Sequence, residues 1–476
     1  MSLWRSPLLQ CIVWSFVVLV AIGSVRVTGE TEAAEVAEVD VDDDVGRNVV
    51  EIVEARGYFV ETHKVTTADN YVLTTYRLPK TYDESQSEAE PTANKPVVLL
   101  QHGLLDSSFT FVSNFRNQSL AFVLVDAGYD VWLANNRGTT WSREHLTYTD
   151  DDDEFWEFSW EDMGKYDLPA EIDYVLNEAQ SSTLSFVGHS EGTSQAFVGF
   201  SIDQKLAQKV SYFAALAPVA WTGQLTAKIF KTMATMHLEK WFQAFGISEF
   251  STKSTFLQEI IGGFACTIAD KLCNSAVSLV AGPSVSTNTS RIPVYISQTP
   301  AGTSVKNMAH YAQNIRDNTF ASYDYGCKCK RNSDIVKCPV SKCENKKVYG
   351  SFDPPAFPIG KMVYPRTGFY IGSADTIATT ADIEKLREAL PSGTIVHELA
   401  VQEYSHLDLT WAYNANEKVY QDLLAQLDKY QGVGYARETT ATDSASRSTD
   451  NDLASAGTES EEITESRTSF SFRQLD

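Results

Sequence analysis

The chain has 476 residues, 43% of them hydrophobic and 21% charged, the balance of one large globular domain or two to three ordinary ones. Its 26 glycines and 15 prolines exclude a collagen-like or wholly disordered chain. The formal charge of −23 lacks the basic footprint that phosphate binding needs, which argues against nucleic acid as a partner.

In chain order, residues 1–28 read as a secretory signal peptide. Arg5 supplies the positive end, residues 11–22 are apolar, and the small Gly23 and Ser24 follow. A type II membrane anchor is the alternative, although the apolar run is short for a bilayer. No second run of spanning length follows, so the mature chain is expected to lack a transmembrane segment. Residues 29–46 form an acidic spacer or propeptide, with eight acidic and no basic side chains over 30–45.

The stretch 47–220 then alternates short apolar runs with helical patterns. Val97–Leu100 and Asp130–Ala134 read as buried strands, the second ending in the turn Asn135-Asn136-Arg137-Gly138. Ile172, Val175, Leu176 and Ala179 recur at helical spacing, in a helix that Asp167 and Pro169 would start. A strand at Leu184–Val187, a helix at Gln195–Phe200 and a strand at Tyr212–Leu216 continue the rhythm. It breaks over 221–361, too long for a loop and therefore expected to be an inserted cap or lid. It resumes over 362–433, with strands at 368–371 and 394–399 and a helix bearing Tyr420, Leu423, Leu424 and Leu427. Residues 434–476, rich in Ser, Thr and acidic residues, read as a disordered tail. Strands alternating with helices predict an α/β fold with a mostly parallel sheet covered on both faces.

Apart from Cys11 in the signal, six cysteines remain: Cys266, Cys273, Cys327, Cys329, Cys338 and Cys343. An even number in an exported chain predicts disulfides. Four thiolates over 327–343 would also suit zinc, which an oxidising compartment disfavours. Asn117-Gln118-Ser119 and Asn288-Thr289-Ser290 are glycosylation sequons, so Asn117 and Asn288 are candidate acceptors.

Gly188-His189-Ser190-Glu191-Gly192 lies between a strand and a helix, the context of a nucleophile elbow. The glycines permit a tight turn that lifts the Ser190 hydroxyl above the sheet. A serine needs a base, and in this topology the acid and then the histidine follow it in sequence. His63, His102 and His145 precede the serine, His189 sits in the elbow, His237 and His310 fall in the insertion, and His397 lies mid-strand. His406, in the loop after that strand, is the candidate base. Asp375 follows the strand before it and is the candidate acid, with Asp382 as the competitor inside a helix. An oxyanion hole needs the N–H of Glu191 and a second one after an early strand, and Leu104 in Gln101-His102-Gly103-Leu104-Leu105 supplies it.

Several motifs together carry a family resemblance. They are Gln101-His102-Gly103-Leu104-Leu105, Leu168-Pro169-Ala170, Gly188-His189-Ser190 with Gly192, Pro300-Ala301-Gly302-Thr303-Ser304 and His406-Leu407-Asp408. Asp126-Ala127-Gly128-Tyr129-Asp130-Val131-Trp132 and Phe213-Ala214-Ala215-Leu216-Ala217-Pro218 belong with them. From about residue 47 to about residue 430 the chain resembles the acid lipase family, which includes gastric and lysosomal acid lipases. The resemblance implies an α/β-hydrolase core with a mainly helical cap. It also implies hydrolysis of neutral lipid esters (triacylglycerols or sterol esters) at a lipid–water interface, without cofactor or metal. Secretion or a lysosomal location goes with it. Carried over, Ser190, Asp375 and His406 match the triad, and Leu104 and Glu191 the oxyanion hole. Asn117 and Asn288 fall where family members also carry sequons. Cys266 and Cys273 resemble the family's disulfide pair but stand closer together, and the other four cysteines are expected to pair with one another.

Two alternatives remain: a lipid-binding or yolk-type protein with the chemistry lost, and a small-ester carboxylesterase. Aromatic residues of the insertion, Trp221, Phe230, Trp241, Phe242, Phe245 and Phe250, suit an acyl-chain site or ordinary cap core. Family members usually carry Gln after the nucleophile, and here it is Glu191. An ionised carboxylate there would oppose the oxyanion, so Glu191→Gln is expected to raise turnover more at about pH 7 than at about pH 5. If Glu191 faces solvent or a cation, no such effect follows. The Cys-rich loop 327–343 and the acidic tail have no recognised counterpart.

Overall fold

Eight strands form the main sheet: β1 Glu61–Thr66, β2 Tyr71–Leu78, β3 Val97–Gln101, β4 Asp130–Ala134, β5 Leu184–His189, β6 Val210–Leu216, β7 Thr367–Gly372 and β8 Ile395–Val401. The protein is seen in a computed structural model that describes residues 42–87, 89–237, 248–250, 282–329 and 339–435. The elements named here belong to the unit that begins at Gly46. Their order across the sheet is β1-β2-β4-β3-β5-β6-β7-β8, with the short Glu144–His145 pairing on β2 as a ninth strand. β2 is antiparallel to both neighbours, while the pairs from β4 through β8 are parallel.

Sequence and position in the sheet agree. β3, β4, β5, β6 and β7 are buried along their whole length, as parallel strands covered on both faces must be. β1 and β8 lie at the edges, and each mixes exposed with half-buried residues. The hairpin β1–β2 is absent from the sequence expectations. The run Glu-Thr-His-Lys-Val-Thr of β1 buries only Val65, so no apolar pattern announces it.

The helices used below are α1 Val49–Ala55, α2 Leu120–Asp126, α3 Leu168–Glu178, α4 Glu191–Ile202, α5 Lys228–Thr235, α6 Ile292–Gln298, α7 Val305–Asp317, α8 Thr380–Ala389 and α9 Gln421–Tyr430. The chain between β6 and β7 carries α5, α6 and α7. The signal segment, the spacer up to residue 41, Trp241, Phe242, Phe245, Cys266, Cys273, Cys338 and the tail from 436 onward lie outside the described residues. Gly434 and Tyr435, placed in the tail by composition, dock on the core. The Gly434 carbonyl accepts from Arg366 Nη2 at 3.0 Å, and the Tyr435 hydroxyl donates to Val210 O at 2.8 Å.

α3 begins directly after Asp167 with Pro169 in its first turn, as expected, but the Asp167 side chain does not cap it. A turn at Trp160–Asp162 and a wide π turn at Met163–Asp167 run straight into α3, and Asp167 itself is helical (φ −68, ψ −53). Its carboxylate instead holds the buried Arg137 of the turn after β4, whose Nε donates to Asp167 Oδ1 at 2.8 Å. Arg137 Nη1 and Nη2 donate to Asp69 at 2.6 and 2.9 Å, and the guanidinium lies 3.8 Å over the Tyr71 ring. This cluster ties the start of β2, the end of β4 and the start of α3 together. Removing one partner of a buried ion pair strands the other charge, at a cost of about 3–5 kcal/mol. Arg137→Leu should therefore lower unfolding free energy in urea at about pH 7 by roughly that amount. An unchanged midpoint and slope would contradict the assignment.

Candidate active site

The site is built where β5 turns into α4. Ser190 sits at φ 54, ψ −113, a conformation that L-residues adopt only under constraint. Its N–H donates to Leu216 O of β6 at 3.0 Å, and its carbonyl accepts from Thr193 N–H at 2.9 Å and Thr193 Oγ1 at 2.6 Å. Two glycines make the turn possible. A Cβ on Gly188 would lie 2.8 Å from Gly192 C, and one on Gly192 only 2.5 Å from Gln101 O. The second contact lets the first turn of α4 press against the loop after β3.

Ser190 Oγ donates to His406 Nε2 at 2.7 Å, and His406 Nδ1 donates to Asp375 Oδ2 at 2.7 Å. All three side chains are buried. Asp375 follows β7, and its other oxygen accepts from Ile377 N–H at 2.7 Å and Ala378 N–H at 2.9 Å, which fixes the carboxylate. His406 follows β8. Its loop is held by Asp408, whose Oδ2 accepts from Ser405 N–H at 2.7 Å and Ser405 Oγ at 2.9 Å. Asp382 lies in the first turn of α8 and accepts from Gln224 N–H, capped by Thr379. The fold thus brings Asp375, and not Asp382, to the histidine. His397 on edge strand β8 pairs with Asp422 at 2.6 Å, away from this chain.

The loop carrying Leu104 passes beside the serine: a Cβ on Gly103 would lie 3.0 Å from Ser190 Cβ. His102 anchors that loop. Its Nε2 accepts from Asn136 N–H at 3.0 Å while its Nδ1 donates to Gly103 O at 2.8 Å. Burial pushes its pKa down to about 4, so the ring stays neutral and keeps this donor–acceptor pattern. Asn136 Oδ1 in turn accepts from Gln101 Nε2 and from Gln195 Nε2 of α4, both at 2.9 Å. The turn after β4 therefore ties the Leu104 loop to the helix behind the serine. His189 donates from Nε2 to His406 O at 3.1 Å, and burial, followed by the charge of His406, depresses its pKa to about 3.

Glu191 does not face solvent, and among the described residues it meets no cation. Only 2% exposed, its Oε1 accepts from Asn307 Nδ2 of α7 at 2.7 Å. Burial pushes its carboxyl up to about 8, with the Asn307 bond opposing the rise. At neutral pH the group is mostly protonated, a neutral stand-in for the amide of Gln. The remaining expectations fall at the periphery. Asn117 is exposed, while Asn288 is half-buried with its Nδ2 donating to Gln118 Oε1 at 3.0 Å. Cys327 and Cys343 form a disulfide, and Cys329 is disulfide-bonded as well. Trp221 packs on Phe320 with ring centres 5.7 Å apart.

Sequence reasoning gave no role to Asn136, Gln195 or Asn307, and placed His102 in the Leu104 loop without a part for its ring. Polar residues that act by holding other residues leave no periodic signature.

Family models match the chain twice: a partial α/β-hydrolase lipase region over residues 49–115 and the α/β hydrolase fold over residues 96–413. The fold is thus that of an α/β hydrolase. Human (Homo sapiens) gastric triacylglycerol lipase is similar at 36% identity over 389 residues, covering 81% of this chain and 92% of that protein. Human lysosomal acid lipase/cholesteryl ester hydrolase is similar at 37% identity over 395 residues, 82% of this chain and 93% of that one. Lipase member K of Mus musculus is 36% identical over 385 residues, covering 80% and 91%. Among solved structures, a soluble variant of monoglyceride lipase from Saccharomyces cerevisiae is 14% identical, with a TM-score of 0.45, covering 78% and 96%. The chain belongs to the acid lipase family of gastric and lysosomal lipases.

The buried Glu191 moves its pH effect upward from the sequence expectation. With the carboxyl near 8, Glu191→Gln should change kcat/KM on a soluble ester by the same factor at about pH 5 and about pH 7. Above about pH 8 the wild type acquires a charge beside the position expected for an oxyanion, and the mutant-to-wild-type ratio should rise. A ratio that climbs between about pH 5 and about pH 7 and is flat above would contradict this environment.

Proposed function

We propose that the protein is a lipase that hydrolyses neutral lipid esters, triacylglycerols or sterol esters, through an acyl-enzyme on Ser190. The observation that carries this reading is the chain Ser190–His406–Asp375, with both links at 2.7 Å. It lies in a protein 36–37% identical to relatives named for triacylglycerol and cholesteryl ester hydrolysis.

Ser190 Oγ attacks the ester carbonyl while His406 Nε2 takes its proton. Asp375 holds the Nδ1–H tautomer of the ring and stabilises the imidazolium that forms. The N–H groups of Leu104 and Glu191 receive the oxyanion of the tetrahedral intermediate. His406 then protonates the leaving alkoxide, the alcohol departs, and a water activated by the same ring releases the fatty acid. None of these steps calls on a metal or cofactor.

Under this reading the core, 47–220 and 362–433, carries the chemistry, and the insertion 221–361 caps it at a lipid–water interface. Residues 1–28 direct export to the secretory route or the lysosome, 29–46 form a spacer, and the residues from 436 onward a tail. Asn117 and Asn288 carry glycans, and the four cysteines of 327–343 pair among themselves. Among the described residues no helix is long and apolar enough to cross a membrane.

The test is hydrolysis of triolein emulsion, cholesteryl oleate and a short soluble ester, each at about pH 5 and about pH 8. Turnover of an emulsified or sterol ester supports the lipase. Turnover of the soluble ester alone points to a carboxylesterase, and none at all to a lipid-binding protein. Ser190→Ala and His406→Ala should each lose about 10³-fold or more of kcat while secretion and fold persist. Asp375→Asn should also lose most activity. Full activity in Asp375→Asn with loss in Asp382→Asn would move the acid to the other carboxylate.

A further inference from the structure

Asn307 lies in the first turn of the cap helix α7 and is fully buried, as is Trp160. Trp160 N–H, at the start of the helical turn before α3, has no carbonyl one turn earlier to receive it. It donates to Asn307 Oδ1 at 2.7 Å. That bond fixes which way the amide faces. With the carbonyl directed at Trp160, the amino group must face Glu191 and Thr303, and Nδ2 donates to Glu191 Oε1 at 2.7 Å and Thr303 Oγ1 at 3.0 Å. The backbone of Asn307 is held too, its N–H donating to Ser304 Oγ at 2.9 Å. Every donor and acceptor of the amide is thereby engaged, in a place where an unpaired one is costly. What the amide grips is the side chain of the first residue of α4, the residue whose own N–H the proposed mechanism assigns to the oxyanion.

We propose that Asn307 is a positioning residue for the oxyanion hole: by clamping Glu191 to the cap helix and to Trp160 N–H, it fixes the Glu191 backbone N–H where the tetrahedral intermediate needs it. The proposal rests on the ester-hydrolase reading. It assigns to a cap residue, without substrate contact, a share of transition-state binding that the ground state does not feel.

The experiment uses the full chain with p-nitrophenyl butyrate, with rates expressed per serine titrated by diethyl p-nitrophenyl phosphate, so that misfolded enzyme does not count. Asn307→Leu should lower kcat about ten- to hundredfold, with KM within about twofold, because a displaced donor acts on the oxyanion and not on the bound ester. Butaneboronic acid, which forms a tetrahedral anion on the serine, should lose affinity by a similar factor. The reversed pair Asn307→Asp with Glu191→Gln keeps an acceptor for Trp160 N–H and lets the Gln amide donate to the Asp carboxylate. It should recover kcat to within about threefold of wild type. Asn307→Ser, whose hydroxyl is too short to reach Glu191, provides the same comparison if the leucine variant does not accumulate. Wild-type kcat per titrated serine in these single variants would overturn the proposal, and so would a reversed pair as impaired as Asn307→Leu. A purely structural role would lower yield and Tm and leave kcat and boronate affinity unmoved. Wild-type turnover that vanishes in Ser190→Ala establishes the underlying reading separately. Its absence defeats that reading and this proposal with it.

Discussion

The close approach of two backbones, the first turn of α4 against the loop after β3, is the constraint on which the site depends. It exists because Gly192 presents no Cβ to Gln101 O, which would otherwise be 2.5 Å away. That contact sets the distance between the serine and the Leu104 loop. It also holds Ser190 in its left-handed backbone conformation, a strain of order 1–3 kcal/mol. The bond from Ser190 N–H to Leu216 O and the double grip of Thr193 on the Ser190 carbonyl oppose relaxation. Strands β7 and β8 then deliver Asp375 and His406 to the same end of the sheet, where loops can vary without disturbing the buried core.

Around this point the fold relies on neutral buried acids as well as ion pairs. Glu191 and Glu171 are both enclosed, and burial raises each carboxyl to about 8. Glu171, on α3, is bonded by Thr75 Oγ1 of β2 at 2.7 Å. A carboxyl whose pKa is higher folded than unfolded contributes stability that is complete below the unfolded value of about 4.5. That contribution is lost as pH rises through about 8. Each of the two acids therefore favours the folded state in acid. The Arg137 cluster works differently. There, at neutral pH, the charges stay, held by two carboxylates and an aromatic face, and the cation joins three elements distant in sequence.

Legibility in the sequence followed the kind of signal each part emits. Strands buried on both faces announced themselves as apolar runs, and the Gly-x-Ser-x-Gly pattern announced the turn between a strand and a helix that presents Ser190. That Asp375 and His406 meet beside Ser190 was legible because chain order and strand ends restrict where an acid and a base belong. Edge strand β1 was silent, since an edge needs only one buried residue in six. Asp167 and Pro169 marked the start of α3, but what the Asp167 carboxylate holds was silent, because its partner, Arg137, lies 30 residues away. Asn307 was invisible for the same reason, acting on Glu191 from 116 residues further along the chain. Local patterns reveal elements. They do not reveal which polar atoms the packed elements will bring together.

The central claim, that Ser190 is a nucleophile activated by His406, is tested most directly by intact-mass and peptide mass spectrometry after brief exposure to diethyl p-nitrophenyl phosphate. One phosphoryl group per chain, located on Ser190 and absent from His406→Ala over the same interval, is the result the account predicts. Label on another residue, or equal labelling of Ser190 in His406→Ala, would contradict it.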